Sequence, residues 1–182
     1  MKKEKLVLAY SGGLDTSVLV HWLDQQGYEV IALCLNLGQK VEDIEAILEK
    51  GKKAGAAKVL IENVEDEFVK EYVMPSIHWN ALYEGTYLLG TSLARPLISK
   101  KQIEVAEIEG AVAVAHGATG KGNDQVRFDV TIGALAPDLK LLTPAREWGM
   151  SREETISYGE KYGIVSSVSK KTPYSIDLNL LG

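Results

Sequence analysis

Apolar and polar positions fall into blocks along this chain, and the period within each block predicts its structure. Leu6-Val7-Leu8-Ala9-Tyr10 is a continuous apolar run, and after a polar bend Val18, Leu19, Trp22 and Leu23 recur at helical spacing. A second unbroken run, Val30-Ile31-Ala32-Leu33-Cys34-Leu35, follows Gly27 and suits a strand buried on both faces of a parallel sheet. Between it and a short third strand, Val59-Leu60-Ile61, lies an acidic then basic stretch with Ile44, Ile47 and Leu48 inward. This predicts a crossover helix ending at Gly51 or Gly55. Phe68, Val69, Tyr72 and Val73 predict a further helix that Pro75 should end or kink. From Ser92 to Glu109 the apolar spacing is helical again, with Pro96 near the first turn and Gly110 beyond the end. Ala111 to Ala115 predicts a small-residue central strand, Val126 to Leu135 a helix, and Leu139 to Leu142 a fifth strand. Ser151 caps a last helix running through Tyr162.

Strands alternating with helices imply right-handed crossovers, hence an α/β fold: a doubly wound five-stranded parallel sheet in the order 3-2-1-4-5 with helices on both faces. Ligands in such sheets bind beyond the strand C-terminal ends where the winding reverses, here between strands one and four. Those strands carry two informative loops at their C-terminal ends, Ser11 to Ser17 and His116 to Asp124.

Composition narrows the function more than the fold. A chain of 182 residues, 46% hydrophobic and 25% charged, is sized for one globular domain with a short appendage. A net charge of −5 argues against a general nucleic-acid binder, which needs basic patches for the phosphate backbone. The single cysteine, Cys34, lies in an apolar strand, so it reads as core and leaves no disulfide framework. The apolar stretch after the basic N-terminus stops at the glycines, too short for a signal peptide, and no run reaches membrane-spanning length. The expectation is a soluble cytoplasmic protein without membrane or nucleic-acid partners.

The chemistry concentrates in the SGGLDTS bend. Gly12 and Gly13 can take positive φ and bring backbone N–H groups close to an anion. Ser11, Thr16 and Ser17 add hydroxyls beside a helix N-terminus, and the result is a pyrophosphate cradle. Asp15, an acid inside an anion site, is a candidate to orient Mg²⁺ or the loop, or to cap the helix. The second loop is not a Walker A motif, because that would need Gly at 115 and Ser or Thr at 122, where Ala115 and Gly122 stand. Its three glycines with Thr119, Asn123, Asp124 and Arg127 instead suit a ligand carrying both carboxylate and amine, such as an amino acid. A third segment, Tyr83 to Pro96, combines aromatics and hydroxyls before a helix; alone it reads as a capped helix start. His21, His78 and His116 lack metal-ligand spacing and thiolate partners; His21 and His78 read as structural.

The first loop resembles the SGG-x-[DS]-S loop of the N-type ATP pyrophosphatases. SGGLDTS, YLLGTSLARP and HGATGKGNDQVRF together resemble, in order and spacing, the nucleotide-binding domain of argininosuccinate synthase, over essentially the whole chain. That resemblance implies residues 1–170 as an ATP-pyrophosphatase-type domain and 171–182 as the start of a connection to a synthetase domain. It implies ATP over Ala9, Tyr10, Ser11, Gly12, Gly13, Leu14, Asp15, Thr16 and Ser17, with adenine near Leu35 and a further contact at Gly117. Citrulline would meet Tyr87, Ser92, Asn123, Arg127 and Ser175, and aspartate Thr119, Asn123 and Asp124. Asp15, Ser17 and Asp124 are the candidate catalytic groups, with ATP and Mg²⁺ as the implied cofactors.

The implied reaction belongs to arginine biosynthesis. The citrulline ureido oxygen attacks the ATP α phosphorus and releases pyrophosphate; the aspartate amine then displaces AMP. Full-length members are homotetramers whose second domain adds citrulline contacts, so this chain alone is expected to bind ATP with weak or no complete turnover. Leu178 stands where the family's S-x-D-E-N-L stretch has Glu. A non-catalytic nucleotide-binding module and another ATP pyrophosphatase are the alternative readings.

Overall fold

The computed structural model describes residues 2–39, 41–120, 122–164 and 179–181. β1 (Glu4–Ala9) is the central strand. It pairs in parallel with β2 (Tyr28–Asn36) on one side and β4 (Ala113–Ala115) on the other, so that Val7 faces Ile31 and Val114 in register. β3 (Lys58–Asn63) extends the sheet beyond β2 and β5 (Lys140–Leu142) beyond β4. The order is β3-β2-β1-β4-β5, as the alternating pattern predicts.

The two-residue period of a strand divides the sheet's apolar side chains between two cores. Leu6, Leu8, Val30, Ala32, Ala113 and Ala115 turn to one face. There they meet Leu19, Val20 and Leu23 of α1 (Leu14–Gln25) and Ile47 of α2 (Val41–Lys53). Val7, Ile31, Leu33 and Val114 turn to the other. Phe68 of α3 (Glu65–Phe68) covers them, and Val73, from a π-helical turn over Val69–Val73, lies beside it. A short α4 (Met74–His78) follows. The same core is then closed by Leu97, Ile103 and Ala106 of α5 (Gly90–Glu109) and by Phe128 and Ile132 of α6 (Asp124–Leu135). After α7 (Pro144–Glu147), α8 (Arg152–Lys161) returns to α1, where Leu14, Val18 and Ile164 form a small third cluster. His21 is structural as expected: its Nδ1 lies 2.9 Å from the Tyr158 hydroxyl and its ring packs on Tyr162.

Three local readings need correction. The helix through Phe68–Val73 is not simply stopped by Pro75. The π-helical turn shifts the hydrogen-bond register, so Pro75 falls in the first turn of α4, where a missing N–H costs little. α5 begins at Gly90 rather than Ser92, which puts Pro96 inside the helix instead of in its first turn. His78 is exposed at the end of α4 and is no part of the core.

Candidate functional site

α1, α5 and α6 all begin at the C-terminal edge of the sheet, and none is capped by the side chain of its own N-cap residue. Their N-cap residues are Gly13, Leu89 and Asn123, and no side chain of the three accepts a hydrogen bond from the first turn that follows. α8, by contrast, carries a complete capping box between Ser151 and Glu154. The first-turn N–H groups of a helix have no partner within it, and the aligned peptide dipoles leave positive potential there. The first turns of α1 and α6 thus direct free donors toward one region, while at α5 the Tyr87 hydroxyl takes the Thr91 N–H.

The first loop is shaped by its glycines. Gly12 has φ +74°, and a Cβ there would lie 2.5 Å from Ile47 Cγ1, so both conformation and packing demand glycine. Ser11 Oγ accepts from Gly13 N–H at 3.4 Å and lies 3.1 Å from Thr16 Oγ1. These hydroxyls sit at the surface of the bend, beside the open end of α1. Ser17 behaves differently: it is buried, with its Oγ 2.9 Å from the Tyr10 hydroxyl. Burial raises the Tyr10 pKa, against the lowering effect of the Ser17 bond. The Leu14 side chain is likewise buried, against Val18 and Ile164. Asp15 is claimed by a residue the sequence reading missed: Arg152 Nη1 donates to both of its carboxylate oxygens, at 2.6 and 2.8 Å. Asp15 is therefore not the cap of α1. Nor does it stand as an uncommitted metal ligand.

The second loop lies directly beside the first. A Cβ on Gly117 would meet Thr16 Cγ2 at 3.3 Å and Leu19 Cδ1 at 3.0 Å, so the absence of a side chain is what lets the loops pack together. The loop runs on to α6, where Asp124 sits between two guanidinium groups: Arg95 Nη2 donates at 3.0 Å and Arg127 Nη1 at 2.8 Å. Arg95 belongs to α5, so this carboxylate ties the start of α6 to the second turn of α5. At the head of α5, the Tyr87 hydroxyl bonds Thr91 Oγ1 and accepts from Thr91 N–H at 3.1 Å. Burial acts to raise the Tyr87 pKa, but hydrogen bonds from Thr91 and Ser92 outweigh it, leaving the phenol below its ordinary value. Leu89, just before, holds a left-handed φ of 62°, uncommon for leucine.

Of the residues expected at the site, Ser11, Gly12, Gly13 and Thr16 line the first bend, and Gly117 packs against Thr16. Tyr87 and Ser92 gather at the head of α5, and Asp124 and Arg127 at that of α6. Leu35 is buried near the C-terminal end of β2, the strand beside β1. Ser175 and Leu178 lie outside the described residues. Cys34 is buried, and burial pushes its thiol up to about 11, which suits a core residue. Among the described residues no group of three or more His, Cys, Asp or Glu side chains stands close enough to hold a metal ion.

This is a doubly wound parallel α/β domain with its crevice at the switch point between β1 and β4, walled by glycine-bearing loops. The chain belongs to the family described as the arginosuccinate synthase N-terminal HUP domain, whose model matches residues 5–165. It is 63% identical over its full length to the argininosuccinate synthase of Prochlorococcus marinus, covering 46% of that relative. To the enzyme of Carboxydothermus hydrogenoformans it is 60% identical over 97% of its own length and 44% of the relative's. The chain thus spans about half the length of the curated relatives it matches. Its fold is similar to that of a 4-thiouridine synthetase solved with RNA and bound ATP, at TM-score 0.63 and 18% identity, over 88% of this chain and 41% of that one. It is also similar to that of a predicted tRNA methyltransferase subunit from Methanocaldococcus jannaschii, at TM-score 0.56 and 13% identity, over 86% and 74% of the two chains.

Proposed function

We propose that this chain is the nucleotide-binding part of an argininosuccinate synthase, seating ATP on the Ala9–Ser17 bend with citrulline and aspartate on the loops opposite. The observation that carries this reading is the meeting of the uncapped α1 terminus with the Gly117 loop. The polyphosphate would take the free first-turn N–H groups of α1 and the hydroxyls of Ser11 and Thr16, with adenine toward Leu35 and Gly117. The buried Ser17 would act from behind this surface, by fixing Tyr10, rather than as a nucleophile.

The two amino acids would fall between α5 and α6. Tyr87, Ser92, Asn123 and Arg127 would hold citrulline; Thr119, Asn123 and Asp124 would hold aspartate. Asp124 anchors the Arg127 guanidinium through one nitrogen and leaves its other donors for a carboxylate. Attack of the ureido oxygen on the α phosphorus forms an O–P bond and breaks the bond to pyrophosphate. The aspartate amine then bonds the activated carbon, loses its proton, and AMP departs. Such transfers need in-line positioning and charge stabilisation more than proton chemistry, and helix termini supply both. Among the described residues no resident Mg²⁺ site is assembled, because Asp15, the carboxylate in the cradle, is held by Arg152. No step is assigned to protein-held Mg²⁺; the ion would arrive with the triphosphate.

Residues 1–170 form the nucleotide domain in this reading and 171–182 lead toward a second domain, as the relatives' greater length suggests. Citrulline-dependent exchange of labelled pyrophosphate into ATP tests it. Saturable ATP binding with weak or absent exchange by the 182-residue chain is expected. Turnover at the rate of a complete synthase would contradict the division into domains. Exchange that needs a different acceptor would point to another ATP pyrophosphatase.

A further inference from the structure

His116 is wholly buried where β4 leaves the sheet, and both its ring nitrogens are engaged. Nε2 lies 3.0 Å from Asp129 Oδ1, and Nδ1 lies 3.2 Å from the backbone N–H of Ala118. The Ala118 amide can only donate and the ionised Asp129 carboxylate can only accept. The two bonds together fix the neutral tautomer with the proton on Nε2 and the lone pair on Nδ1. The ring stacks on Phe128, with centroids 4.6 Å apart and planes 18° apart. Asp129 is in turn held by Arg146 Nη1 at 3.3 Å. Arg146 also donates to Gln125 Oε1 at 2.8 Å and to Thr143 Oγ1 at 3.0 Å, and its stem passes Gly120.

We propose that His116 is a positioning residue for nucleotide binding: by accepting from Ala118 N–H it folds the loop back at Gly117 and holds that glycine against Thr16. The proposal rests on the nucleotide reading of the crevice given above. Residues on either side of the bond explain why a histidine is needed. A serine or threonine hydroxyl at 116 is too short to reach both partners, and an apolar ring would fill the space against Phe128 while leaving Ala118 N–H without its acceptor. Leaving this half-buried donor unpaired would cost at least what the lost hydrogen bond is worth. His116 itself need not touch the ligand. Its effect on the nucleotide passes through the backbone of the residues at 116–118.

Two amide substitutions separate the functions of the ring nitrogens. In His116→Asn the side-chain oxygen can stand where Nδ1 stands and keep the bond to Ala118. In His116→Gln the longer amide reaches Asp129 instead and gives that bond up. ATP titration calorimetry on the 182-residue chain is expected to show H116N within about threefold of the unsubstituted protein and H116Q weaker by roughly tenfold, at similar melting temperatures. A merely structural histidine would lower both melting temperatures and leave the two affinities in step, and that result would overturn the proposal. If the unsubstituted chain does not bind ATP, the nucleotide reading fails by itself. The latch is judged separately, by hydrogen exchange at the Ala118 amide, protected in H116N and fast in H116Q. Should either variant fail to fold, imidazole ¹⁵N spectra of the unsubstituted protein decide. A proton on Nε2 with Nδ1 bare is expected; a proton on Nδ1 would overturn the assignment.

Discussion

Gly12 concentrates the residue-scale argument, because two independent constraints meet on one missing methyl group. Its φ of +74° disfavours any Cβ, and Ile47 occupies the place a Cβ would take. Gly12→Ala is expected to lose about 1–2 kcal/mol from the backbone conformation alone, and more from the displacement of α2. ATP affinity should fall with it, and thermal denaturation beside ATP titration checks both. Arg152→Ala makes the contrast. The ion pair with Asp15 is about half exposed on each side, so its loss should change stability by less than about 1 kcal/mol, read by denaturant unfolding. The sequence showed Gly12 clearly, since a Gly-Gly pair between an apolar strand and a helix has few other uses. It did not show Arg152, because 137 positions separate it from Asp15 and only the return of α8 onto α1 brings them together. His116 and Asp129 were hidden for a related reason. They are 13 residues apart on different elements, with no motif to couple them.

At the scale of elements, helix termini divide into those that are capped and those left open. The Ser151–Glu154 box satisfies the first turn of α8 itself, so Ser151→Ala should cost about 1 kcal/mol in thermal denaturation and leave nucleotide affinity unchanged. A matching loss of affinity would mean that α8 shapes the crevice more than its contacts indicate. The five strands, α1, α2, α6 and α8 were legible from apolar period and turn residues, and Gly110 ends α5 in the left-handed conformation as expected. Helix form was less legible around the prolines. A π-helical turn has no apolar period of its own, and the start of α5 at Leu89 uses a left-handed leucine where sequence rules expect serine or threonine. Propensity rules describe helices that stabilise themselves. This one is held by the covering of its apolar face, in the core shared with Phe68 and Phe128.

Across the whole molecule, the order of the strands followed from the sequence because right-handed crossovers leave few arrangements for alternating strands and helices. The same topology sets the response to acid. Burial, opposed by the Asp129 bond, lowers the His116 pKa below its ordinary 6.5, so between those values the unfolded chain binds the extra proton and the folded one does not. Stability should therefore fall as pH drops below 6.5 and level off once folded His116 is also protonated. At the opposite edge of the sheet, Glu109 joins Lys58, the first residue of β3, and Lys5, the second of β1, and hydrogen bonds from both lysines lower its pKa. That contribution is present above the ordinary glutamate value of 4.5 and is lost as pH falls through the folded pKa. Urea unfolding across this range should show two successive declines, with the upper one absent in H116N. The most direct test of the central claim is an amide NMR titration of the 182-residue chain with ATP. Saturable shifts concentrated at residues 11–17 and 116–119 are predicted; saturable shifts elsewhere, or none at millimolar ATP, would contradict the account.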